Sequence, residues 1–202
     1  MMMAFLSLVL AYVLGSIPFG YLLVKWRTGA DIRTAGSRNT GATNVLRTTG
    51  LAAGIATLLL DIGKGYAAVW IADLASAGNP FWMSLAALAV MLGHTFPLFL
   101  GFKGGKAVAS FLGAFLRLAP LATLAILIVF VGVVAWSRHI SLGSIVAAGT
   151  LPLALWLIIK PPFIVLLVSI VAAVLIIYRH RANIERLNQG TEHVLTLGAH
   201  RR

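Results

Sequence analysis

The sequence predicts an all-α fold: a polytopic integral membrane helix bundle, built as a single domain over residues 1–202. Three observations carry that expectation. Hydrophobic residues make up 60% of the chain and charged residues 10%, where soluble domains carry about 25% charged residues. The apolar residues fall in runs of about 20, the length a helix needs to cross a bilayer. Basic residues collect in alternate gaps between those runs, as they do in a chain that weaves through a membrane with its positive loops on the cytoplasmic side.

The first run, 3–25, opens in "MMMAFLSLVLAYVLGSIPFG". It lacks the positive leader of a secretion signal, since its first basic residue is Lys25, and it reads as a spanning helix with the N-terminus outside. Further runs cover 51–74, 81–100, 119–136, 142–159 and 161–178. Between the third and fourth lies "KAVASFLGAFLR" (106–117), apolar but short. A half-helix of this kind is tolerated where it lines a cavity in the protein. Counting it as a crossing gives seven transmembrane helices, one of them short, with the C-terminus cytoplasmic. That count puts 13 of the 16 Lys and Arg residues on the inner side, in 25–50, 101–107, 137–141 and 179–202. Arg117 and Lys160 are left in outer turns, and Lys64 lies within a helix. The outer turns "ASAGNP" (75–80) and "KPP" (160–162) are plain turn formers.

A net charge of +11 also raises the question of nucleic acid, but no basic helix or aromatic ladder sits in a soluble module, so no nucleic-acid partner is expected. Topology explains the charge first and an anionic ligand second. The chain has no cysteine, which excludes disulfide and thiolate chemistry. Five scattered acidic residues and the lack of a His/Cys/carboxylate cluster argue against any metal. No G-x-S-x-G elbow is present, which disfavours a serine acyl-enzyme.

The polar residues that solubility does not explain lie in the inner segments. "GSRNTGATNVLR" (Gly36–Arg47) alternates small and amide residues. It reads either as a capped entry into the second helix or as an anion nest of free backbone N–H groups. Asn44 and Arg47, three apart, can share a helical face. In "GHTFPLFLGFKGGKAV" (Gly93–Val108), Lys103 and Lys106 flank Gly104 and Gly105. The glycines would let backbone approach a ligand, and lysines suit phosphate as point charges. His94, at an inner helix end, is of a kind more often structural than catalytic. "YRHRANIERLNQGTEH" (Tyr178–His193) would extend the last helix, with His180 and Asn183 on one face between Arg179 and Arg186. A basic helix lying on anionic lipid explains the arginines but not the paired His and Asn. In "SRHISLGS" (137–144), Ser141 is a candidate cap and Ser144 a candidate ligand contact. Asp61 and Lys64 read as an ion pair within one helix.

Taken together, "GSRNTGATNVLR", "GHTFPLFLGFKGGKAVAS" and "HRANIERLNQGTE" closely resemble, in order and spacing, the three cytoplasmic motifs of the bacterial acyl-phosphate:glycerol-3-phosphate acyltransferase family (PlsY). "GSIPFG" (15–20) and "DIGKG" (61–65) fit as well, and the resemblance spans essentially the whole chain. It implies a seven-helix inner-membrane enzyme that acylates glycerol 3-phosphate from a fatty acyl phosphate, giving lysophosphatidic acid. Arg38 and Thr40 depart from the small or apolar residues common at those places. The substrates would be fatty acyl phosphate and glycerol 3-phosphate, met among membrane lipids by a monomer without a cofactor. Ser37, His180 and Asn183 are the expected catalytic residues. Ser37 and Asn39 would clamp the acyl phosphate, while Arg47, Lys106 and Ser144 would hold the glycerol phosphate. His180 and Asn183 would orient the attacking hydroxyl or steady the oxyanion. Gly36, Gly41, Asn44, His94, Lys103, Gly104 and Gly105 complete the binding set. Two rivals compete with this reading. One is an acyl-CoA acyltransferase of the His-x4-Asp type, for which only His180 and Glu185 are spaced. The other is an anion or lipid-phosphate transporter.

Overall fold

Pro18 interrupts the first apolar run. A proline cannot donate the helical i→i−4 bond, so the chain forms α1 (Met2–Ser16) and α2 (Phe19–Thr28) instead of the single helix expected over 3–25. The structure, a computed structural model, describes residues 1–195. Arg201 and Arg202, counted above on the inner side, lie outside the described residues. Beyond α2, Asp31 caps a 3-10 turn (Ile32–Thr34) with its side chain. The first inner motif does not run straight into the next spanning helix. It forms a short helix of its own, α3 (Ala42–Thr49), joined to α4 (Leu51–Ser76) through Gly50 at φ 103°.

Asn79 and Pro80 start α5 (Pro80–Thr95), Asn79 accepting a bond from the Phe81 N–H. After the 3-10 turn Leu98–Leu100 comes the short α6 (Val108–Leu118), stopped by Pro120, which itself opens α7 (Pro120–Ser137). The bundle is completed by α8 (Ile140–Ile158), α9 (Phe163–Arg179) and α10 (Arg181–Asn188). The expected continuous last helix is instead bent by 57° between α9 and α10. Among the described residues there is no strand. Five segments are long and apolar enough to cross a bilayer: α1 with α2, α4, Pro80–Leu100, α7 and α8. The bent pair α9–α10 makes a sixth if taken as one.

Lipid tails are as apolar as leucine, so the helices associate through close contact of small residues more than through a hydrophobic drive. Ala4, Ser7, Ala11 and Gly15 form the buried stripe of α1 that packs against α5. The approach is tightest where α4 meets α6. A Cβ on Gly65 would overlap the Ser110 carbonyl, and one on Gly113 would overlap the Ile62 carbonyl. Asp73 and Arg117 pair at the far end of the same two helices. A second core joins α6 through α9 around Phe111, Phe115, Leu151 and Ile176. α6 therefore touches both halves of the bundle, and the motif-bearing turns meet below its N-terminus.

Replacing Gly113 with Leu should force α4 and α6 apart. Overpacking of this kind costs about 1–3 kcal/mol or more, and thermal unfolding in detergent should show a clearly lowered midpoint with the Asp73–Arg117 pair intact.

Candidate active site

The turns at one end of the bundle enclose a cavity of about 450 Å³. Its mouth is polar, with Ser37, Asn39, Arg47, Lys106, Ser141, Ser144, His180, Asn183, Arg186 and Glu192 in the wall. Its depth is apolar: Leu51, Ile55 and Leu58 of α4 on one side, Ile126, Leu127, Phe130 and Val134 of α7 on the other, and Phe111 and Leu112 of α6 behind. Leu51, Ile55, Leu58 and Leu127 are themselves partly exposed on the outside of the bundle, so the apolar part opens sideways between α4 and α7.

A hydrogen-bond chain holds the polar end together. Lys106 donates to Asn183 Oδ1. Asn183 Nδ2 donates to Glu192 Oε1 (2.7 Å), which also accepts from Ser141 Oγ (2.9 Å), while Arg186 Nε donates to Glu192 Oε2 (2.7 Å). Three regions distant in sequence meet there: the loop before α6, the first turn of α8, and α10 with the chain that follows it past Gly190. Burial pushes the Glu192 carboxyl up, but hydrogen bonds from Asn183, Arg186 and Ser141 outweigh it and hold the group below its ordinary value. Glu192 was missed as a site residue. Its signal was its rarity, as one of five acids in the chain, at the end of a motif crowded with arginines. Ser141 does not cap α8, which starts at Ile140; its hydroxyl serves Glu192.

The bend at His180 sets the other wall. His180 lies between α9 and α10, and its Nδ1 is 2.8 Å from the Ile176 carbonyl. A carbonyl only accepts, so the proton sits on Nδ1 and Nε2 keeps its lone pair. Asn183 N–H returns to the His180 carbonyl (2.8 Å), which places the two side chains around the bend rather than along one straight helix.

Each residue expected from the sequence can now be placed. Ser37, Asn39, Gly41, Asn44, Arg47, His94, Lys106, Ser144, His180 and Asn183 all border the cavity. Several are already engaged. Buried Asn44 accepts from the Ser37 N–H (2.9 Å) and donates to the Ala35 (3.1 Å) and Asn39 (2.9 Å) carbonyls, so it folds the motif loop, while Arg47, three residues on, stays exposed at the cavity mouth. The Asn39 side chain accepts from the Gly41 N–H. The Ser144 hydroxyl donates to Ile140 O (2.9 Å) and must turn to meet a ligand. Gly36, Lys103, Gly104 and Gly105 do not border the cavity, and Lys103 is exposed. Gly104 and Gly105 instead let the loop lie on His94: a Cβ on either would overlap it. Arg179 Nη2 donates to the Gly104 carbonyl (3.1 Å). Among the described residues no cluster could hold a metal ion.

Helices that cross a bilayer, an apolar cleft open to lipid and a cationic mouth at one end define an integral membrane protein that handles an amphiphilic anion. The profile of the glycerol-3-phosphate acyltransferase family matches residues 5–190, and the chain belongs to that family. It is 50% identical to the glycerol-3-phosphate acyltransferase of Geobacter sulfurreducens, over 90% of this chain and 92% of that one. It is 45% identical to that of Clostridioides difficile, over 91% of each. Its fold is similar to the crystal structure of PlsY, an integral membrane glycerol 3-phosphate acyltransferase, in the glycerol 3-phosphate form, with TM-score 0.91, 41% identity and 96% of each chain covered. It is similar also to the lysophosphatidic acid form, with TM-score 0.88, 39% identity, and 96% and 95% covered.

Burial pushes the Lys106 ammonium down to about 8; Glu192 partly offsets this, and Arg186, Arg179 and Arg47 reinforce it. Below that value the cavity holds an extra cation, and above it the cation is lost. The KM for an anionic substrate should therefore rise as pH passes through about 8, and the Lys106→Met variant should show a high KM with no such limb. Stability should run the other way. The folded value lies below the ordinary 10.5, so between the two the native chain holds fewer protons than the unfolded one, and this group favours folding increasingly as pH rises through that window.

Proposed function

We propose that the chain transfers a fatty acyl group from acyl phosphate to glycerol 3-phosphate, giving 1-acyl-glycerol 3-phosphate and inorganic phosphate. The observation that carries this reading is the continuity of the cavity: a cationic, amide-rich mouth runs into an apolar cleft that opens to lipid. An acyl phosphate is shaped like that cavity. Its tail would lie between α4 and α7 and its phosphate would stay among Ser37, Asn39 and the backbone of the motif loop. Glycerol 3-phosphate would enter from the aqueous side and set its phosphate against Arg47 and Lys106.

In the reaction the glycerol hydroxyl oxygen attacks the acyl carbonyl carbon. The bond from that carbon to the phosphate oxygen breaks, and phosphate leaves with the electron pair. The leaving group is good, so no covalent acyl-enzyme is needed. Holding the two reactants in line supplies about 7–11 kcal/mol of the barrier, and each preorganised donor at the developing oxyanion adds about 2.7–4 kcal/mol. The free Nε2 of His180 accepts the hydroxyl hydrogen bond and aims its oxygen. The proton then passes to a substrate phosphate oxygen, because a neutral imidazole beside Lys106 is a poor place to create a second cation. Asn183 spends its carbonyl on Lys106 and one amide hydrogen on Glu192, which suits it to hold the lysine more than to touch the oxyanion.

The basic turns support a cytoplasmic active site in the bacterial inner membrane, with the N-terminus outside, the C-terminus inside and α6 as a seventh, short crossing. The transporter reading needs a polar route to the far end of the bundle, where the Asp73–Arg117 pair and the packed α4–α6 contact stand instead. The absence of a facing carboxylate partner for His180 on α10 weighs against the acyl-CoA type. We read the chain as working as a monomer.

Purified protein in detergent should release phosphate from palmitoyl phosphate only when glycerol 3-phosphate is present, and should not consume palmitoyl-CoA. Phosphate release that ignores glycerol 3-phosphate would reject the reading. His180→Gln, which keeps an amide near the Nε2 position, should lower kcat by about 10- to 100-fold, the scale of a lost positioning contact rather than a lost base. Complete loss of turnover with substrate binding retained would make His180 the base.

A further inference from the structure

Three buried ionisable side chains stand beside the cavity without a part in the reaction as described. Asp61 and Lys64 of α4 pair at 2.8 Å, and both are buried. Lys64 Nζ also donates to the Ile17 carbonyl (2.9 Å) at the break between α1 and α2, and lies over the Phe19 ring. The second group around Asp61 is His94, at the end of α5, whose Nδ1 is 3.6 Å from Asp61 Oδ1 and 3.4 Å from Ser110 Oγ of α6. Packing around Ile17, Phe19, Asp61, Lys64 and His94 leaves no space for a water molecule. Charges at membrane depth are costly and persist where they are paired and used. An ion pair for stability alone could be replaced by apolar residues at little loss, so the use has to be sought in what the third member touches.

His94 touches the lysine loop. Its carbonyl accepts from the Gly105 N–H (3.0 Å), and the Thr95 carbonyl accepts from the Gly104 N–H (3.2 Å). The imidazole lies flush against Gly105, where a Cβ would overlap Nε2. One residue beyond Lys106, Ala107 is fully buried and held at φ 60° before α6 begins. A non-glycine residue in that region is strained and stays there only when its surroundings over-determine it. The loop is thus held by the His94 ring at Gly105 and by Arg179 at the Gly104 carbonyl.

We propose that Asp61, Lys64 and His94 form a positioning unit that fixes the Gly104–Lys106 loop, and with it the ammonium that receives the glycerol phosphate. Lys64 locks the carboxylate of Asp61 to the α1–α2 break, Asp61 faces Nδ1 and sets the tilt of the His94 ring, and the ring seats Gly105. None of the three needs to touch substrate. The proposal rests on the acyl-transfer reading above.

Two double variants separate positioning from stability. Asp61→Leu/Lys64→Met and Asp61→Asn/Lys64→Met both remove the buried charges, but only the second leaves an oxygen facing His94. In detergent, Asp61→Leu/Lys64→Met should raise the KM for glycerol 3-phosphate about tenfold with kcat within about threefold, the signature of lost binding without lost chemistry. Asp61→Asn/Lys64→Met should keep KM within about twofold of native. Equal KM values in the two variants, or a fall confined to kcat, would overturn the proposal. Should the leucine variant fail to fold, His94→Ala in the native chain removes the same seat. It should raise KM to a similar degree, and an unchanged KM overturns the idea as well. The native protein run alongside keeps the two readings apart: no turnover there rejects the acyl transfer, while native turnover with equal variant KM values rejects the positioning unit alone.

Discussion

The architecture of the site depends on one carboxylate. Lys106, Arg47, Arg179 and Arg186 crowd a small volume, and like charges so close would spread the turns that bear them. Glu192 accepts from Asn183, Ser141 and Arg186, and through Asn183 it reaches Lys106. Its charge is compensated on every side, which is the condition under which a buried ion is tolerated. The excess of cations left after that pairing is what an anionic substrate would neutralise. The site is thereby kept cationic without flying apart.

The same economy explains why the cavity has two characters. A water-soluble phosphate ester and a lipid cannot share a fully polar or a fully apolar pocket. Here the change of character follows the helices: the turns carry the amide and cationic groups, and one or two helical turns further in the walls are leucine, isoleucine and phenylalanine. The short α6 makes that possible. Its Phe111 and Leu112 line the cleft, while Leu51, Ile55 and Leu58 of α4 and Leu127 of α7 stay partly exposed at its open side.

Much of this was legible in the chain. The apolar runs gave the helices, and α4, α7 and α8 lie within a few residues of the expected bounds. Ten of the expected site residues meet at one cavity, because the turns that carry them lie at one end of the bundle. What stayed hidden was what sequence spacing cannot express. Asn44 and Asn39 look alike in a row of small polar residues, yet Asn44 is spent on four backbone groups of the chain just before it. The glycines beside Lys106 promised room for a ligand, and the room is taken by His94. The Pro18 break hides inside a run whose hydropathy continues through it, and the bend at His180 falls in a basic segment whose helical spacing continues through it. Glu192 lies after a turn at Gly190, and nothing local says that the chain folds back onto α8.

The places where the helices fail are also the places where the site is made. Within a bilayer an open backbone group must find a partner inside the protein, so non-helical chain at that depth is kept only where other groups answer it. The α1–α2 break offers the Ile17 carbonyl to Lys64. The end of α5 gives its last carbonyls to Gly104 and Gly105. The bend at His180 turns its N–H to the Ile176 and Ile177 carbonyls and its imidazole to Ile176. Each of these three interruptions is answered by a residue of a motif, and two of them, the end of α5 and the bend, lie beside residues that line the cavity. A regular helix could not do this, since its polar backbone is sealed within itself and its side chains leave at set angles. Broken helices, costly anywhere else in a membrane protein, are what allow loops far apart in the chain to share one rigid set of donors.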